Sequence, residues 1–159
     1  MKGLFFATLL IILIFIFSTA FCPQGQVKVI EVIDGDTITV EGYDNSIRIL
    51  GIDTLETKQN YKVPQQSKKY NISENEVIKK GLESKEVATR LLLNRCVELK
   101  ADYRDKGKYG RYLRYVYIDG VIDYQEFMLI NDLAVVYCYD KEIKQYAYYN
   151  SLSKYKCDI

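Results

Sequence analysis

The chain has 159 residues, 22 Lys plus Arg against 21 Asp plus Glu, a net charge of +1 and a mean hydropathy of -0.15. That balance excludes binding through diffuse positive charge, so an anionic partner must be held by individually placed cations or by a metal. Histidine is absent, which excludes Ser-His and Cys-His catalysis and most zinc hydrolase sites; any catalytic base is expected to be a carboxylate.

Residues 1–21, MKGLFFATLLIILIFIFSTAF, place one lysine before an apolar run that ends in small residues. This is the layout of a secretory leader, with Ser18 and Ala20 setting cleavage after Ala20. The alternatives are an uncleaved membrane anchor, for which the run is short, and a lipoprotein signal at Cys22, against which Phe21 stands. Residues 22–159 fit a single domain.

Stretches 26–33 and 37–42 read as two strands joined at Asp34-Gly35-Asp36, a tight-turn signal. GYDN (42–45) is a turn, and SIRILGID (46–53) is a third strand. Residues 58–80 are polar and nearly aperiodic and read as a long surface loop, with a turn of helix near SENEV. That loop carries NIS, a weak glycosylation pattern at Asn71. An amphipathic helix is expected over 81–95, with Val87, Leu91 and Leu92 near one face. A fourth strand follows at 96–101, a glycine-punctuated connection at 103–110, and a tyrosine-rich fifth strand at 111–118. After the Asp119-Gly120 turn come a helix over 124–133, an extended stretch over 134–139, and a third helix over 142–156 with Ile143, Ala147 and Leu152 inward. Five strands with a helix between the third and fourth describe an α+β chain built on a five-stranded OB-fold barrel with three helices.

Four cysteines, Cys22, Cys96, Cys138 and Cys157, match no zinc spacing. In an exported chain an even count suggests disulfides, with three pairings open; Cys138–Cys157 is the first choice because it would staple the last segment to the body. Buried free thiols are the alternative.

Three stretches carry chemistry: DGDT (34–37), RILGIDTLET (48–57) and KYGR (108–111). Singly, each has an ordinary reading as a turn, a cap or a rim charge. Together they supply Asp36, Asp53 and Glu56 as carboxylates and Arg48 and Arg111 as cations, an inventory suited to phosphoryl transfer. Carboxylates suit a hard cation, arginines grip phosphate, and a carboxylate can activate water. Arg48 and Asp53 are five apart and would face opposite ways on a regular strand. They converge only if the chain bends, and Gly51 is the expected bend.

In order and approximate spacing, VIDGDTITV, IRILGIDTLET and DKGKYGRYLRYVYIDG resemble the staphylococcal nuclease (thermonuclease) family, from about Val27 to about Tyr139. The resemblance implies Ca2+ at Asp36, Asp53 and the Thr54 carbonyl, with Asp34 nearby. It implies Arg48, Arg111 and Glu56 as catalytic residues, and Lys108, Tyr109, Tyr137 and Tyr139 as substrate contacts. It implies a monomeric, secreted or surface-attached hydrolase acting on DNA and RNA, single-stranded or denatured substrate favoured, with 3′-phosphate products. A nuclease-like module that only binds single strands is the alternative. The chain departs from the family at Leu55, where proline is usual, and in the longer 58–80 segment. It departs also at Asp132, where a helix-ending glycine is common and Asn131 could take the left-handed conformation instead.

Overall fold

The computed structural model describes residues 21–157. Except for Phe21, the expected leader or anchor over 1–21 lies outside the described residues. Strand β1 (Gln26–Asp34) begins the barrel, but its alternation is interrupted. A register shift between Val29 and Glu31 turns both Val29 and Val32 inward and leaves Ile30 half exposed. It pairs antiparallel with β2 (Thr37–Val40), and β2 pairs with β3 (Ile47–Ile49). On its other side β1 pairs with β5 (Cys96–Lys100), and β5 pairs with β6 (Tyr112–Ile118).

A parallel seam between β3 and β6, with Arg48 opposite Leu113, closes these five strands into the expected OB-type barrel. Val29, Ile38, Val40, Ile47, Ile49, Val97, Val116 and Ile118 fill its interior. The third stretch, read as one strand, divides at Leu50-Gly51. Gly51 has φ +79°, and after it β4 (Ile52–Asp53) leaves the barrel to pair with β8 (Val135–Val136).

There are four helices among the described residues, where three were expected. The segment 58–80 is not a loop. It contains α1 (Val63–Tyr70) and the start of α2 (Glu74–Leu92). Pro64 in the first turn presets α1, and Asn71 in the left-handed region closes it. Ser73 then accepts the Glu76 amide at 3.2 Å and opens α2 seven residues before the expected Gly81. The buried face of α2 is Val77, Gly81, Ser84, Ala88 and Leu92, whereas Val87 and Leu91 are only partly covered.

Beyond the barrel, β7 (Ile122–Asp123) leads into α3 (Tyr124–Ile130), where Asp123 caps the helix by accepting the Glu126 amide at 3.0 Å. Asp132 itself, φ +56°, takes the left-handed position, and Asn131 does not. Helix α4 (Tyr146–Leu152) is shorter than 142–156. Its buried residues are Tyr146, Tyr149 and Asn150, and Ala147 is exposed.

Both disulfides are present, Cys138–Cys157 as first chosen and Cys22–Cys96 with it. Asn150 clasps the last turn of chain, accepting from the Cys157 amide at 2.8 Å and donating to its carbonyl at 3.2 Å.

Candidate active site

The site begins at the β1–β2 turn. Asp34 pairs with Thr37 across it, so the reversal falls on Gly35 and Asp36, one residue later than the Asp-Gly signal suggests. Gly35 is required here by close approach: a Cβ would lie 2.7 Å from Thr54 Cγ2 and 3.1 Å from Ser84 Cβ. The Tyr124 hydroxyl donates to its carbonyl at 2.7 Å and ties the turn to the core.

Asp36 is 4% exposed and four donors converge on its carboxylate. Thr54 donates to Oδ2 from its amide (2.8 Å) and its hydroxyl (3.2 Å), Thr37 Oγ1 donates to Oδ1 (2.9 Å), and Arg48 Nη1 forms an ion pair with Oδ1. The bend at Gly51 brings Asp53 back to Arg48 as expected. Nη2 donates to Asp53 Oδ1 at 2.6 Å and to the Ile52 carbonyl at 3.1 Å. One guanidinium therefore bridges the two aspartates. Burial pushes the Asp34 carboxyl above the ordinary carboxylate range, against the pull of Arg48, Thr37 and Arg111.

Glu56 is held from the opposite side. Lys62 Nζ donates to Oε1 at 2.8 Å and Asn60 Nδ2 to Oε2 at 2.7 Å, while Gln66 Oε1 accepts the Glu56 amide at 3.0 Å. Burial alone would raise the Glu56 carboxyl, but the Lys62 and Asn60 hydrogen bonds outweigh it and hold it below the ordinary range. Gly81 of α2 lies under this segment: a Cβ there would meet the Glu56 carbonyl oxygen and, at 2.5 Å, that of Leu55. Close packing on Gly81 and Gln66 thus fixes the stretch in which proline is missing at position 55.

These groups line one cleft of about 420 Å³, with Asp34, Asp36, Asp53 and Glu56 as its carboxylates and Arg48, Arg111, Lys62 and Lys69 as its cations. Arg111, just before β6, lines it without an ion pair among the described residues. Tyr137 and Tyr139 line it too, their centroids 5.5 Å apart, and Arg48 lies 5.4 Å from the Tyr137 ring. Lys108 and Tyr109 are exposed on the 103–110 connection and are not among the lining residues. Lys62, Gln65, Gln66, Lys69 and Tyr70, absent from the residues singled out in the sequence, all come from α1 and the turn before it.

The donor chemistry suits a hard dication: only oxygens, from carboxylates, with the Asp34 charge held at a cost in buried surroundings. Among the described residues no group of three acidic side chains is gathered tightly enough to enclose an ion, because Arg48 draws Asp36 and Asp53 onto itself.

Comparison with known proteins bears on the fold that carries this cleft. The family described as "Staphylococcal nuclease homologue" matches residues 46–157. A thermonuclease of Staphylococcus hyicus is 38% identical over 94 residues, which cover 57% of this chain and 47% of that protein. An uncharacterized protein of Methanocaldococcus jannaschii is 35% identical over 128 residues, 74% of this chain and 61% of its own. A thermonuclease of Staphylococcus intermedius is 38% identical over 90 residues, 55% of this chain and 45% of its own. The chain therefore spans roughly half of each thermonuclease and about three-fifths of the archaeal protein.

Proposed function

The chain belongs to the staphylococcal nuclease family, and from that membership we propose that it is an exported, calcium-dependent nuclease that hydrolyses DNA and RNA with little base preference and leaves 3′-phosphate products. The observation that carries the proposal is the convergence of two arginines, Glu56 and three aspartates on one cleft. Arg48 and Arg111 bind the phosphate and stabilise the charge that grows on it. Glu56, kept ionised by Lys62 and Asn60, is poised to take a proton from water. Asp36, Asp53 and the Thr54 carbonyl would hold Ca2+. When bound, the ion supplies neutralisation of phosphate charge. Weak base preference follows from gripping phosphate, which carries no sequence information.

The test is hydrolysis of heat-denatured DNA in calcium or in EGTA. Glu56→Ala is expected to lower kcat by ~10²–10⁴-fold and Arg111→Ala by ~10²–10³-fold. Full activity in EGTA, or in both variants, would sink the proposal. A second reading, a module that binds single strands without cutting them, draws on Arg48 already occupying both aspartates. Tight single-strand binding with no cleavage in calcium would favour it.

A further inference from the structure

Past Lys69 and Tyr70 the cleft continues into a second hollow of about 300 Å³, lined by those two residues with Cys138, Lys154, Tyr155 and Lys156. Three lysines line one small space in a chain whose overall charge is nearly balanced. Their counter-charge is thin. Lys154 shares Asp132, at 3.3 Å, with Lys80 at 3.0 Å. Lys156 donates to the Ser151 carbonyl at 2.8 Å, and Lys69 Nζ lies 5.0 Å from the centroid of the Tyr70 ring. Neither Lys69 nor Lys156 makes an ion pair among the described residues.

Two tyrosines accompany these cations, Tyr70 and Tyr155, with ring centroids 4.7 Å apart. The lysines do not hang on a loose tail. Cys157 is bonded to Cys138, Asn150 clasps the Cys157 backbone, and the Val136 amide donates to Ser153 Oγ at 3.1 Å. Lysines and tyrosines together on an anchored backbone, beside the cleft proposed to grip phosphate, are the combination that tracks a single strand.

We propose that this hollow binds the sugar-phosphate backbone of the substrate strand beyond the scissile phosphate, as an extended subsite for single-stranded nucleic acid. The inference rests on the nuclease reading of the neighbouring cleft. It predicts that long strands gain from Lys154 and Lys156 while the shortest substrates do not.

The test uses a Lys154→Ala/Lys156→Ala variant and its Arg/Arg counterpart. Binding of a fluorescent ~12-nucleotide single strand is followed by anisotropy in EGTA between ~50 and ~200 mM salt. Cleavage of that strand and of a dinucleotide is measured in calcium. The Ala/Ala variant is expected to bind the long strand about tenfold more weakly at low salt, with a log–log salt slope smaller by up to ~1.4. Its dinucleotide turnover should be unchanged, and Arg/Arg should restore long-strand binding. Unchanged long-strand affinity and slope would overturn the subsite, as would an equal loss on both substrates. If the wild-type chain cuts neither substrate yet binds the long strand through these lysines, the subsite stands and the nuclease reading falls.

Discussion

The two walls of the cleft are built on different physical terms. On the barrel side, Asp36 and Thr54 are buried and Arg48 nearly so, and the Asp36 oxygens and Arg48 amino groups have assigned partners. That wall is fixed by backbone: a two-residue turn, a bend at Gly51 and a tyrosine hydroxyl from the core. On the helical side, Lys62 and Lys69 are exposed and the contacts are those of long side chains to Glu56 and Tyr70. The difference decides what a lost partner costs. A buried charge that loses its partner is left unsolvated, whereas an exposed ammonium that loses its partner keeps its water.

Breaking one partner on each wall should therefore cost very different amounts. Asp36→Ala leaves a largely buried guanidinium and two Thr54 donors without their acceptor, and is expected to destabilise the fold by ~3–5 kcal/mol. Lys62→Ala, at a half-exposed ammonium, is expected to cost ~0–1 kcal/mol. Urea denaturation of the two variants checks the contrast, and equal losses would show that the walls do not differ.

Smaller effects are expected where glycine lets the walls approach their supports. Gly35→Ala drives a Cβ against Thr54 and Ser84, and Gly81→Ala drives one against the Leu55 and Glu56 carbonyls. Each is expected to cost ~1–3 kcal/mol. Gly81→Ala gains about 1 kcal/mol of helix propensity in return, yet is expected to lower cleavage by shifting Glu56. A Gly81→Ala protein with full activity would show that Glu56 does not depend on that contact.

The mildest test is pH. Asp102 ties the approach to α4 to the barrel strand β6. Burial works to raise its carboxyl, but the Tyr115 hydroxyl and the Lys144 and Tyr103 amides outweigh this and hold it below the ordinary range. A depressed folded value contributes stability that is full above the ordinary carboxylate value and is lost as pH falls toward the folded one. Wild type should exceed Asp102→Asn in urea midpoint at pH 7, with the gap closing on acidification toward pH 3. A gap that persists unchanged at low pH would argue against the ionised carboxylate as its source.

The barrel wall was legible in the sequence because its signals are local. An Asp-Gly turn, a strand carrying Arg48 and a glycine where the chain must bend are all readable within a few residues. The five strands and the barrel class followed from the same alternation. The helical wall was not legible in this way. Only Val63 and Tyr70 of α1 are buried, so no apolar period marks it. Pro64 and the Ser73-to-Glu76 cap were the available signs. The helix was expected to start at Gly81, but that glycine lies inside it, packed against two carbonyl oxygens from a segment about 25 residues earlier, which no local pattern shows. Lys108 and Tyr109, which the motif suggested as substrate contacts, stand exposed on the connection before Arg111 and outside the cleft lining.

The parallel seam between β3 and β6 decides what holds the two cleft arginines together. Arg48 lies on one side of that seam and Arg111 adjoins the other, 63 positions apart in the chain. The two side chains line one cleft because that seam joins their strands. A substitution that loosened the β3–β6 pairing would therefore part them while leaving both arginines in the sequence, so the pair is a property of the closed ring and of neither residue alone.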